Sequence, residues 1–422
     1  MSLPVRHLPV LQNWDCHVCG TCCKEYQVTI TEEERRRIEA QDWRGEPDLA
    51  GVPLLVRRGP WGARHWQLNR RADGSCVFLS EQGRCRIHER YGAAAKPLPC
   101  RLFPFVLVPA GDHWRIGLRF ACPSAAANKG RPHTAHEKDL KDFAAQLAQR
   151  EGLPGGPTRA ELPPPPLQRG QHVAWPDLMR FVNALLGLIR HSGERVERRL
   201  RKWLALADLC RQARFDRLSG GQLGEFLTLI AASLDAEVPA DPAALPPPGW
   251  AGRLLFRQAL ALFARKDQGP NRGLAARGKI ALLGAAWRFA RGRGAVPRVN
   301  ALLPATTFEQ VEAARGPLSA EEEEILQRYY SVKLASLQFC GATNFGTPFW
   351  DGLEMLAATF PLIVWLRHAL ARPGAEGLLL AINLVDDHFG YNRLLGTARQ
   401  RLAFRILART GELPRLIAWY GR

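Results

Sequence analysis

Four thiols fall within eight residues, Cys16-His17-Val18-Cys19-Gly20-Thr21-Cys22-Cys23, and four more follow at Cys76, Cys85, Cys100 and Cys122. The chain has ten cysteines in all, so eight of them lie in its first third. A thiolate is stable only beside a cation or other charge that lowers its pKa. Packing so many together therefore calls for a soft or borderline metal ion, or for disulfides. Nothing in Met1–Cys16 reads as a secretory signal, which favours a cytoplasmic chain whose clustered thiols are ligands rather than disulfides. Zinc takes four thiolates at tetrahedral geometry, and a cubane cluster takes one per iron. Eight thiols exceed either need, so the spacing allows two centres, or one centre with some cysteines in other roles.

All eight, Cys16, Cys19, Cys22, Cys23, Cys76, Cys85, Cys100 and Cys122, are candidate metal ligands. Adjacent side chains diverge along a helix or a strand. Cys22 and Cys23 are thus expected to serve different centres, or one to bind while the other packs. Gly20 allows a tight turn between the cysteine pairs. Cys210 and Cys340 sit in apolar helical stretches and read as buried hydrophobes.

The remainder of the chain divides by composition. Residues 1–150 mix short extended segments with turns. Thr31-Glu32-Glu33-Glu34 is a capping box that predicts a helix through Ala40. Val52–Arg57, His65–Leu68, Cys76–Leu79 and Trp114–Phe120 read as strands, and Thr134–Arg150 has helical spacing. Residues 151–176 contain Pro154, Pro157 and the run Pro163–Pro166, which predicts a stiff linker. From 177 to 422 apolar residues recur every three or four positions. Helices are predicted at Asp177–Arg214 with a break near Ser192-Gly193, and at Gly221–Leu234, Leu254–Ala264, Lys279–Arg291, Ala320–Phe339, Gly352–Ala371 and Leu394–Thr410. The expected fold class is α+β, a small cysteine-rich metal-binding domain with short strands followed by a mainly α-helical domain.

The motifs carry a resemblance. The run Cys16–Cys23, Cys76-Val77-Phe78-Leu79, Gly83-Arg84-Cys85-Arg86-Ile87-His88 and Pro99-Cys100-Arg101-Leu102-Phe103-Pro104 resemble the CxxCxxCC family of zinc- or iron-chelating proteins (YkgJ-like). All eight of that family's cysteine positions are filled here, and His88 stands where the family usually has Tyr. Larger members resemble flagellin lysine-N-methylase, with a cysteine-rich front and a helical back, and Arg328–Leu334 is similar to an aromatic helix segment there. This resemblance implies an iron–sulfur cluster, 4Fe-4S in type, and S-adenosylmethionine-dependent methyl transfer to a protein lysine.

The residues themselves supply no conventional methyltransferase site. No Gly-rich turn follows a strand, and in the radical-type CxxxCxxC pattern Tyr26 replaces the third cysteine of the run begun by Cys19 and Cys23. A bound methyl donor would therefore sit against the cluster or between the two domains. Tyr329, Tyr330, Trp350 and Tyr391 are candidates for lining a lysine channel, because aromatic faces hold cationic amines. Glu321–Glu324 offers local acidity, or a helix start favoured by the dipole. Asp386-Asp387-His388 is a candidate base or metal site, or simply a helix terminus. His17 is a candidate ligand, and Arg101 is expected to donate to a thiolate or carboxylate near the cluster.

Composition bounds the partners. At 46% hydrophobic and 23% charged the chain is no disordered polymer. A net charge of +18 favours polyanions or an anionic membrane surface as neighbours, or reflects only an arginine-rich composition. The arginines are dispersed without a recognised motif, which makes nucleic acid an unlikely partner. The apolar run Met355–Leu366 is too short to cross a bilayer, so no membrane is expected. The partner the reading implies is a lysine-bearing protein. Its alternative is a non-catalytic module stabilised by zinc, with a helical domain that binds a partner.

Overall fold

The computed structural model describes residues 4–6, 12–60, 63–150, 162–215, 217–313 and 316–422. Its front third holds two small three-stranded sheets. In one, β2 (Thr29–Ile30), β4 (His65–Leu68) and β3 (Leu55–Arg58) run antiparallel in the order β2-β4-β3. In the other, β1 (Val5–Arg6) lies parallel to β6 (His113–Leu118), which pairs antiparallel with β5 (Phe105–Ala110). The β5–β6 hairpin turns through Gly111 at φ +62, a left-handed conformation that glycine adopts without strain. A Cβ there would also lie 2.9 Å from the Trp175 ring.

Short helices surround these sheets: α1 (Thr21–Glu25), α2 (Glu32–Glu39), α3 (Arg86–Tyr91), α4 (Leu98–Leu102), α5 (Pro123–Ala126) and α6 (Glu137–Arg150). The capping box is formed as read: Glu34 N–H donates to Thr31 Oγ1 at 3.2 Å, and Thr31 N–H to Glu34 Oε2 at 2.8 Å. Glu34 also accepts from Leu98 N–H at 2.7 Å, which anchors α4. The predicted strand Cys76–Leu79 is absent. That segment instead makes isolated bridges, Arg70 to Cys76 and Leu79 to Cys85, because tight turns on either side leave no partner strand to extend along.

The helical body contains α7 (Trp175–Arg190), α8 (Val196–Gln212), α9 (Gly220–Glu237), α10 (Trp250–Phe263), α11 (Lys279–Arg291), α12 (Phe308–Glu312), α13 (Ala320–Ala335), α14 (Phe349–Leu370), α15 (Gly374–His388), α16 (Ala398–Arg409) and α17 (Glu412–Gly421). The break near Ser192-Gly193 separates α7 from α8. Helix α14 is long and apolar enough to cross a membrane, yet its whole apolar window is buried. It is the axis of the core, packed against α8, α12, α15, α16 and α17. An all-round apolar helix of this kind is stable in water only when its neighbours cover every face.

The proline-rich stretch falls partly outside the described residues, at 151–161. Its second half is docked rather than free: Pro166 and Leu167 carbonyls accept from Phe349 and Trp350 N–H at 2.8 and 3.1 Å. One large apolar cluster runs from Leu98, Phe105 and Trp114 through α6 to Ile417. A second, smaller cluster of Ile30, Ile38, Leu49, Leu68, Val77, Phe78 and Ile87 lies beneath the cysteines. The architecture is α+β, and among the described residues the strands lie within residues 5–118.

Candidate metal centre

Short turns and helix starts present the thiols. Gly20 adopts φ +67 and opens α1, whose first turn carries Cys22 and Cys23. Cys76 N–H donates to Cys23 O at 2.8 Å, which stitches the second cysteine segment onto the first. Cys85 caps α3, Cys122 caps α5, and Cys100 sits within α4. Backbone N–H groups of Phe78 reach toward Cys76, and those of Ser124 and Ala125 toward Cys122.

The eight thiols do not share one point. Cys22, Cys23, Cys76, Cys85 and Cys100 line a single cavity of about 720 Å³. Cys22 and Cys23, expected to serve different centres or to divide into one ligand and one packed thiol, both line this cavity, because the tight turn at Gly20 brings the first turn of α1 to its edge. Cys122 is buried elsewhere, within electrostatic reach of Cys19, while Cys16 and Cys19 are exposed. His17 lies in that second region, its Nδ1 2.8 Å from Asp15 O and 3.2 Å from Ser124 Oγ. All ten cysteines are free thiols. Among the described residues, no three His, Cys, Asp or Glu side chains stand close enough to share one ion.

The chemistry of the donor set fits a cation. Burial pushes the Cys100 thiol well up, and the neighbouring Cys76 sulfur adds to it. Burial likewise lifts Cys76 to about 11, and the Cys22 thiol is raised first by its contact with Cys23. Burial opposes the charge on Lys96, but the sulfurs of Cys85 and Cys100 outweigh it and raise its pKa. These thiols suppress one another's ionisation, and a soft cation would relieve that repulsion.

The same cavity is lined by Asp267, Gln268, Asp387, His388, Tyr391 and Arg393 from the helical body, and by Glu25, Tyr26 and Arg119 from the front third. Lys266 Nζ lies 2.8 Å from Asp387 Oδ2 and 3.4 Å from Glu25 Oε2. Arg119 stacks on Tyr391 at 3.6 Å and on Tyr26 at 5.0 Å, with Asp387 Oδ1 at 3.5 Å. Burial works against the Asp387 carboxylate, yet Lys266, His388 and Arg119 hold its pKa below the usual range. Burial lowers the pKa of His388, whose Nε2 lies 2.7 Å from Arg265 O and whose Nδ1 faces Asn392 Nδ2 at 2.9 Å.

Several expected participants lie elsewhere. Of the four aromatic channel candidates only Tyr391 reaches the cavity. Tyr329, Tyr330 and Trp350 are wholly buried core residues, since apolar helix faces turn inward. Arg101 donates to a carboxylate, Asp142 at 3.3 Å, and to Gln146 at 2.7 Å, contacts that dock α4 on α6 rather than reach a thiol. Glu321–Glu324 forms a helix start, with Glu322 in a capping box and paired to Arg367, and Glu323 accepting from Val196 N–H. His88 is exposed, outside the cavity lining. Lys96, Glu25, Arg119 and Lys266 escaped the sequence reading, and Tyr26 was noted only as a missing cysteine. Glu25, Arg119 and Lys266 meet partners far along the chain, and periodicity carries no trace of such pairs.

The fold and the donor set together define a cysteine-rich chelating lobe fused to a helical body. Residues 15–122 match the family model CxxCxxCC, described as "Putative zinc- or iron-chelating domain". No curated protein matches the chain, and neither does any solved structure.

Proposed function

We propose that this chain is an iron–sulfur protein that uses the cavity between its cysteine lobe and its helical body to methylate a protein lysine from S-adenosylmethionine. The observation that carries the reading is one cavity lined both by five thiols and by a carboxylate–tyrosine–arginine set. Cys22, Cys23, Cys76, Cys85 and Cys100 would hold the cluster, four of them as ligands, one per iron, with one thiol left over. The likeness of the cysteine motifs to those of flagellin lysine-N-methylase supports the same assignment.

A sulfonium donor and a lysine ammonium are both cations. The faces of Tyr26 and Tyr391 and the carboxylates of Asp387 and Asp267 suit such groups, while Arg393 suits the donor's carboxylate. The donor supplies an activated methyl group, and the amine that accepts it must be neutral. A half-enclosed, partly apolar cavity favours that neutral form by desolvation.

Oxygen-free purification tests the reading. The expected product is brown, holds iron and acid-labile sulfide, binds S-adenosylmethionine in titration, and transfers methyl to lysine in a protein acceptor. A colourless protein holding only zinc, with no donor binding, would replace the enzyme with a zinc-stabilised binding module.

A further inference from the structure

Helix α11 presents an apolar stripe to solvent. Ile280, Leu283 and Trp287, at i, i+3 and i+7, are 86%, 71% and 62% exposed. Its other face buries Ala285 and Phe289, so the stripe is an outward surface and not a core seam. Single exposed apolar residues are ordinary, but a continuous row of large ones marks a contact surface.

The row continues into a basic pocket of about 550 Å³ at the helix C-terminus, lined by Trp250, Arg253, Arg257, Arg291 and Arg293. Trp250 is 80% exposed at its mouth. Arg291 stacks on Trp287 at 5.5 Å and joins stripe to pocket. Arg257 is paired with Glu312 at 2.6 Å, whereas Arg253 lies over the Trp419 ring. Residues 268–308 include Arg272, Arg277, Lys279, Arg288, Arg291, Arg293 and Arg298 and no acidic residue at all.

We infer that α11 and this arginine pocket form a docking face for the surface of an anionic phospholipid bilayer, with headgroup phosphates in the pocket and Ile280, Leu283 and Trp287 in the acyl boundary. An interfacial helix needs this division: large apolar and indole side chains on one face, and cations at its edge. Charge chooses among occupants. A symmetric second copy would set one arginine group against its own image, which repels. A nucleic acid backbone would satisfy the arginines but leave Ile280 and Leu283 in water. Anionic lipid satisfies both sets. The face departs from the sequence expectation of no membrane partner, because helical periodicity cannot say which apolar positions the tertiary fold leaves uncovered.

Sedimentation of the full chain with vesicles tests the inference, using phosphatidylcholine alone and phosphatidylcholine mixed with phosphatidylserine. Binding is expected only to the mixed vesicles, weakening with salt. Ile280→Glu and the double change Arg291→Glu with Arg293→Glu should each weaken it about tenfold or more, with unchanged circular dichroism. Three results would overturn the inference: no vesicle binding by the full chain, full binding by both variants, or a dimer abolished by Ile280→Glu in a chain that ignores vesicles.

Discussion

Lys266 places its ammonium 2.8 Å from Asp387 and 3.4 Å from Glu25, so a single cation ties the last turn of α15 to the cysteine-bearing helix α1. All three side chains are largely buried. Removing the cation leaves Asp387 with Arg119 at 3.5 Å and Glu25 with only the neutral Asn271 amide at 2.8 Å. Lys266→Ala is therefore expected to cost less than the about 3–5 kcal/mol of a fully orphaned buried charge. Lys266→Ala combined with Asp387→Asn should recover part of that loss. Denaturant unfolding of the two variants checks the ordering.

The thiols predict a division in metal content. Cys76→Ser and Cys100→Ser should lower bound metal and reduce stability by several kcal/mol, since a structural metal contributes directly to folding. Cys19→Ser changes an exposed residue that does not line the cavity, and should leave that metal in place. Metal content per chain after oxygen-free purification distinguishes the variants. Equal loss in all three would merge the two thiol regions into one centre.

Glu354 predicts a pH dependence remote from the thiols. Burial raises its pKa from 4.5 to about 7, despite Arg211 at 2.8 Å. The folded state then binds this proton more tightly than the unfolded chain does. The associated stability is complete below pH 4.5 and is lost as pH rises toward about 7. The span corresponds to at most about 3–4 kcal/mol. Glu354→Gln should flatten the stability profile across that window, as chemical denaturation at several pH values would reveal.

Gly117 predicts a packing limit. A Cβ at this position in β6 would fall 1.9 Å from Gln338 Nε2 and 2.7 Å from Ser336 Oγ. Gln338 accepts from Lys333 Nζ at 2.8 Å, and Lys333 is ion-paired with Asp386 in the core. Gly117→Ala must displace this side chain, at a cost of about 1–3 kcal/mol. A lowered thermal midpoint with unchanged helical content is the expected result.

The periodic elements were legible in sequence because their cause is local. The Thr31 capping box, the helix Lys279–Arg291 and the strand His65–Leu68 fall where residue spacing puts them. Helices α15 and α17 were not read. Gly374 and Gly377 weaken the first turn of α15, and α17 is only ten residues long, so local pattern is thin in both. Strand β5 was also unread: Pro104 precedes it and Pro109 lies within it, and prolines argue against a strand until a partner such as β6 is seen.

The order of the thiols along the chain, and hence the match to a chelating domain, is a matter of sequence alone, because sulfur chemistry depends on residue type and close spacing. Their division between two regions, the meeting of Lys266 with Glu25 and Asp387, and the exposure of one face of α11 were decided by the tertiary structure. Those relationships join residues up to several hundred positions apart, and side-chain packing across elements sets them where no local pattern reaches.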